Sequence, residues 1–173
     1  MRLIKGFVFV FLGFSIVLTA ISLLMPSTVV VNRTEIIAVD SATTSHQVKH
    51  LKNWINWHPY FAEVSPEHGF FPNGKAYLKW EMKGRTYRFE EVLNYANGIR
   101  VVFARSGEND IINDVTTYSA GLQNQVEWKA INNIKWYPWE KFGAMFLNDI
   151  SGPAYEDALK SLKHYLEKNP SAR

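Results

Sequence analysis

The sequence predicts an α+β domain: an antiparallel, curved sheet of about six to seven strands wrapped around a long, kinked C-terminal helix. Two short helices follow the first strand, and a transmembrane helix precedes it. Three observations carry this reading. A run of 20 uncharged residues extends from Gly6 to Met25, period-two segments fill the middle of the chain, and an apolar-striped segment, Trp139 to Lys168, follows every predicted strand. A helix in that last position could not hide its apolar stripe alone, so the strands before it are expected to curl against it.

As a helix, the N-terminal run would span about 30 Å, the thickness of a bilayer's hydrocarbon core. Arg2 and Lys5 precede it and the next basic residue is Arg33, which by the positive-inside rule puts the N-terminus in the cytoplasm and the domain outside. Pro26 and Ser27 mark its end. A cleaved signal peptide is the competing reading, because Ala20-Ile21-Ser22 supplies small residues after an apolar run. The run continues through Leu23, Leu24 and Met25, however, beyond the usual signal core. Residues 1–26 are therefore expected to anchor an exported domain, 27–173, in the cytoplasmic membrane with a single pass, the domain being periplasmic or extracellular.

The β-branched stretch Val29 to Val39 predicts the first strand. Asp40 or Ser41 can cap a helix running to about Leu51, and Leu51 to Phe61, with Trp54 and Trp57 three apart before Pro59, predicts a short aromatic helix or turn. Ser65 to Gly74, with two prolines and two glycines, reads as a loop. Ala76, Leu78, Trp80 and Met82 then alternate with charged residues, and Lys83-Gly84 turns the chain into a strand from Arg85 to Leu93. Asn97-Gly98 is read as a turn before Ile99 to Arg105. Ile111 to Ser119, a turn at Gly121 and Leu122 to Ile131 complete an antiparallel meander. In the closing segment, Phe142, Met145, Phe146 and Ile150 share one helical face, while Tyr155, Leu159, Leu162 and Leu166 share roughly the opposite one. One straight helix cannot bury both, so a kink or a break is expected at Ser151-Gly152-Pro153.

Without its first 25 residues the chain is the size of one domain, and 47% hydrophobic and 14% aromatic residues provide ample core. Arg2 and Lys5 account for most of the +3 formal charge, so the remainder carries no footprint for nucleic acid. The absence of cysteine excludes disulfides, thiolate zinc sites and a cysteine nucleophile. His46 and His50 share a helical face, and His58 or His68 could add a third metal ligand. Gln47, though, stands where a zinc protease needs glutamate, and no metal or other cofactor is expected. Phosphate loops, dinucleotide fingerprints and nucleophile elbows are missing as well. The aromatic run Trp136-Tyr137-Pro138-Trp139 suits either a membrane-interface belt or burial at a strand-to-helix corner.

Three short motifs extend this reading: Leu24-Met25-Pro26-Ser27 leading into the first strand, Leu51-Lys52-Asn53-Trp54 followed by Trp57-His58-Pro59-Tyr60, and Gly152-Pro153-Ala154-Tyr155-Glu156 with Leu159 and Leu162. On these the chain resembles the START-like (SRPBCC) superfamily, in particular its membrane-anchored, polyketide cyclase-like bacterial branch. It departs from that family in carrying Thr44 and Ser45 where bulky apolar residues are usual. The resemblance implies the helix-grip fold, with a cavity for an apolar ligand between sheet and C-terminal helix, and no shared catalytic motif.

Such a cavity suits a hydrophobic small molecule or lipid. Strand parity and helix face nominate Trp80, Met82, Phe103, Trp128, Phe142, Met145 and Phe146 as its lining, with Trp54 and Trp57 near a mouth. Any one of these residues taken alone fits a solid core better, and it is the set together that points to a lining. If the domain were instead a cyclase- or hydratase-like enzyme, His58, Tyr87 or Tyr118 would be the inward group moving a proton. A ligand-free interaction scaffold in the cell envelope is the third expectation.

Overall fold

The computed structural model describes residues 2–120 and 123–169. Helix α1 (Arg2–Leu24) is followed by strand β1 (Thr28–Ile37), helix α2 (Ser41–Lys49) and two 3₁₀ turns, Leu51–Asn56 and Pro59–Phe61. Strands β2 (Glu67–Phe70), β3 (Ala76–Met82), β4 (Arg85–Tyr95), β5 (Gly98–Arg105), β6 (Ile111–Ala120) and β7 (Gln123–Asn133) then lead to helices α3 (Pro138–Ala144) and α4 (Leu147–Lys168). The sheet has the order β1-β7-β6-β5-β4-β3-β2, and every neighbouring pair is antiparallel. It is a meander whose last strand returns to pair with the first.

Local chemistry explains most boundaries. Asp40 caps α2 by accepting the Thr43 amide at 2.9 Å. Thr43 and Thr44 are buried in α2, and the Thr44 hydroxyl is satisfied by the Asp40 carbonyl at 3.0 Å, so the small polar residues at this position pack without an orphaned group. Lys83 and Gly84 both adopt positive φ, 52° and 72°, as a tight hairpin turn requires. Alternation holds along β3, β5 and β7, where Leu78 and Trp80, Ile99 and Val101, and Val126, Trp128 and Ala130 are buried.

Several expectations are corrected. The segment read as a loop at Ser65 to Gly74 contains the edge strand β2, paired with β3 through Glu67 and Lys79 to Phe70 and Ala76. A four-residue edge strand has too few residues for its period to show. The turn assigned to Asn97-Gly98 lies one residue earlier, at Ala96-Asn97, since Tyr95 already pairs with Gly98. Gly98 belongs to the sheet, where a Cβ would collide with the carbonyl oxygen of Val115 on β6. The expected turn at Gly121 falls outside the described residues.

The closing segment also differs. Its break falls between Ala144 and Leu147, and α4 runs without interruption through Gly152 and Pro153. Proline removes one backbone bond near the start of α4, beside the exposed residues Asp149 and Ile150, where water can take up the freed carbonyl. Gly152 is buried because the Arg33 guanidinium of β1 lies over it; Arg33 in turn donates to the Asn148 side chain at 3.0 Å and to its carbonyl at 3.2 Å. Downstream, Ala158, Leu159, Leu162 and Leu166 are buried, the α4 stripe packing on β1 and β7. Each of these leucines contributes roughly 1.5–3 kcal/mol.

Helix α1 is long and apolar enough from Ile4 to Leu24 to cross a membrane, a criterion that signal sequences near an N-terminus also meet. Its C-terminal end packs on α3.

Candidate functional site

The core is built from rings. Trp54, Trp57, His58, Tyr60 and Phe61 come from the two 3₁₀ turns and their junction, Trp80 from β3, Phe89 from β4, Phe103 from β5 and Trp128 from β7. The sequence folds in this way locally because Pro59 starts the second turn and His58 caps it, its Nδ1 accepting the Tyr60 amide at 3.2 Å. His58 is 6% exposed and caged by aromatic side chains: its ring stacks on Trp54 at 5.9 Å and 5°, and lies 5.4 Å from Phe89 and 5.7 Å from Trp128.

Beside this imidazole lies a small, partly enclosed void of about 30 Å³, between the sheet and the first half of α4. It is lined by His58, Tyr60, Phe89, Phe103, Asn113, Trp128, Ala154 and Tyr155. It has room for about one or two water molecules. One wall is polar: Asn113 Oδ1 accepts the Trp128 indole N–H at 2.9 Å, and Asn113 Nδ2 donates to the Ile111 carbonyl at 3.0 Å. Larger recesses lie on the outside, two of which bear on the choice of site. One, of about 620 Å³, runs between α4 and the 3₁₀ turns and includes Trp57, Lys160, His164 and Lys168. The other, of about 330 Å³, lies between the β5–β6 loop and the start of α3 and includes Arg105, Glu108, Asp110 and Glu140. Their charged rims make them poor hosts for an apolar molecule, whereas the small void is walled mainly by rings.

Protonation follows from burial. Desolvation lowers the His58 pKa from 6.5 to about 3, so the imidazole is neutral at pH 7 and carries its proton on Nε2, because Nδ1 is an acceptor. Burial raises the Tyr60 phenol, partly offset by Arg105. It raises Tyr155 as well, with the nearby Tyr60 adding to the shift and Arg105 opposing it. No charged side chain is among those lining the void. It is therefore suited to a neutral guest that accepts or donates one or two hydrogen bonds. The buried indole nitrogens of Trp57 and Trp80 have no hydrogen-bond partner among the described residues.

Of the residues nominated from the sequence, Trp54, Trp57, Trp80, Phe103 and Trp128 come together in one cluster, with Met82 packed against its edge. Phe103 and Trp128 line the void itself. Phe142 is half-buried outside that cluster, and Met145 and Phe146 are 65% and 58% exposed. The cause is the early helix break, which directs this face outward. Tyr87 is half-buried and stacks on Trp80 at 5.7 Å. Tyr118 cannot serve as an inward group: Asn113, Val115 and Thr117 face the core on β6, so Tyr118 lies on the other face, 45% exposed and 3.4 Å from Glu127.

His46 and His50 are neighbours, their rings 4.3 Å apart, and His50 Nδ1 is committed to the His46 carbonyl at 2.9 Å. Among the described residues no group of three His, Cys, Asp or Glu could hold a metal ion; His58 lies in the core and His68 is exposed on β2. Sequence reasoning missed Asn113 and Tyr155 as lining residues. Strand parity marks Asn113 as inward, but an asparagine among Ile and Val reads as an outward residue until its Trp128 partner is known.

No protein-family model matches the chain, and no curated protein matches it by sequence. Solved structures do match. A START superfamily protein from Mycobacterium smegmatis superposes with a TM-score of 0.60 at 15% identity, covering 80% of this chain and 97% of its own. The ZhuI aromatase/cyclase from Streptomyces sp. R1128 gives 0.63 at 12% identity, covering 84% and 97%. Major latex-like protein 151 from Panax ginseng gives 0.55 at 14% identity, covering 84% and 99%. At these identities the likeness is one of fold. The chain therefore has the START-like, helix-grip fold, which it shares with START superfamily proteins and polyketide aromatase/cyclases.

Proposed function

We propose that residues 27–173 form a binding domain for a small, largely apolar and uncharged molecule, tethered outside the cytoplasmic membrane by residues 1–26. The observation that carries this reading is the ring-walled void, with its polar face at Asn113 and His58, beneath the first half of α4. Ligand pockets for drug-sized molecules are about 300–1,000 Å³, so binding requires α4 or the α3–α4 corner to move away from the sheet. A flat or short-chain guest would need the smallest displacement. Retention of the anchor is supported by Ser22, which stands at the candidate cleavage motif yet is fully buried, 3.4 Å from the Trp136 carbonyl.

The test is native purification of the full chain in mild detergent, followed by mass spectrometry of extracted small molecules, with titration of anilinonaphthalene sulfonate in parallel. Enrichment of one apolar compound class, which competes with the dye, is expected. An empty protein that takes up neither dye nor extracted lipid overturns the proposal. The void's small size favours one alternative in that case, a ligand-free interaction scaffold. An enzymatic role for His58 is less well supported, because burial that holds its pKa near 3 keeps the imidazole neutral and makes it a weak proton acceptor at neutral pH.

A further inference from the structure

The α3–α4 corner carries an apolar surface that the core does not use. Trp136, Trp139, Met145, Phe146 and Ile150 are all 58% exposed or more, whereas the other large exposed hydrophobics described beyond α1 (Val30, Ile36, Phe70, Leu93 and Tyr118) are dispersed over the sheet and its edge. Within residues 136–150 the sole exposed charge is Asp149. Glu140 is half-buried and accepts the Lys135 amide at 3.1 Å, and Lys141 is only 2% exposed.

Lys141 fixes where this surface sits. Its ammonium reaches the carbonyls of Met25 and Pro26 at 3.2 and 2.9 Å and the Ser27 hydroxyl at 2.8 Å. Met25 and Pro26 directly follow the last residue of α1, so the ammonium sits just beyond the helix's C-terminal end, the favourable side for its dipole. Together with the Ser22 approach to Trp136, this clamps α3 onto the end of the candidate membrane span. Any bilayer that α1 crosses then ends beside the exposed rings of α3. Indole and phenol groups favour that boundary, where an apolar body and a polar tip are both accommodated.

We infer that α3 and the first turn of α4 seat in the headgroup layer of the membrane that α1 spans, the occupant of this apolar surface being lipid. The seating rests on the reading of α1 as a retained span. It holds the domain against the bilayer in one orientation, with the α3–α4 corner, one of the two elements whose movement would admit a ligand, in contact with lipid.

The chain lacks cysteine, so single cysteines can report position. Trp139→Cys, Met145→Cys and Ile150→Cys, with Phe70→Cys and Leu93→Cys as controls, are spin-labelled in the full chain reconstituted into phosphatidylethanolamine/phosphatidylglycerol vesicles. All five positions are exposed, so folding should survive, and near-ultraviolet circular dichroism verifies it. Power-saturation electron paramagnetic resonance then compares collisions with oxygen, which partitions into lipid, and with a water-soluble nickel chelate. The expected result is a several-fold higher oxygen-to-nickel ratio at the three corner sites than at both controls. Corner labels as open to nickel as the controls overturn the seating, as do labels shielded from both reagents, which would mean a protein partner. Alkaline carbonate extraction separates the two readings: release of the chain overturns anchoring and seating together, whereas retention with water-exposed corner labels overturns seating alone.

Discussion

Acid should loosen this fold through one residue. His58 has a pKa of about 3 in the folded protein against 6.5 for the free side chain. With the folded value depressed, the unfolded chain binds a proton that the folded one refuses, so the contribution is fully present above about pH 6.5 and is lost as pH falls toward 3. The loss approaches about 1.4 kcal/mol per pH unit once the unfolded imidazole is mostly protonated, hence roughly 2 kcal/mol at about pH 5. For a domain near 150 residues that corresponds to a Tm lower by about 4–8 °C. This window lies above the range in which Asp114, Glu127 and Glu156, all held below their ordinary values, begin to contribute in the same direction. The assay is equilibrium urea unfolding of the full chain in detergent across this window, comparing the wild type with His58→Asn, whose carbonyl can still accept the Tyr60 amide. The variant should be less stable at neutral pH because it leaves space among the rings, yet flatter with pH. Parallel slopes for the two proteins, or an imidazole NMR resonance from His58 titrating near 6.5, would refute the reasoning.

Three further predictions follow from buried geometry. Asn113→Leu orphans the Trp128 indole N–H and should cost about 1–3 kcal/mol, read by urea unfolding; adding Trp128→Phe should cost less than the sum of the single changes, and strict additivity would count against the 2.9 Å bond. Leu162→Ala on α4 should cost about 2–5 kcal/mol, while Ile150→Ala, 73% exposed, should stay within about 0.5 kcal/mol in micelles. Phe103→Ala should enlarge the void, lower the Tm and raise the uptake of a small apolar probe such as benzene, measured by NMR line shifts; unchanged uptake would mean the core collapses around the deletion.

How much was legible depends on how local the signal is. Alternation located β3 and β7 because one buried face imposes a period of two, β-branched content marked β1, turn signals separated β4 to β6, and the Asp40 cap was visible because a cap needs only its own neighbourhood. Edge strand β2 was not, since Glu67 to Phe70 is held by backbone pairing to β3 and carries no face to bury. Gly98 was read as a turn residue although its role is close approach to Val115 and Thr116 on β6, a relation across the next hairpin that sequence spacing does not encode. For the candidate site, Trp54, Trp57, Trp80, Phe103 and Trp128 were chosen by aromatic character and parity. Asn113, Tyr155 and Lys141 were invisible because each matters through a partner remote in sequence.

The sequence by itself determined the α+β class, the antiparallel meander, the apolar N-terminal helix and the inward faces of β3 and β7, because burial on one side of a regular element leaves a repeating mark. Only the tertiary structure decided where the closing segment breaks, and with it the fate of Phe142, Met145 and Phe146. Helical spacing placed these side chains on a shared face without saying what that face meets. The packing of α3 on the end of α1, through Lys141 and Ser22, turned it outward. The void was decided in the same way: the aromatic count promised material for a wall, but the size of the space left at His58 and Asn113 depends on how closely nine rings from six segments interlock.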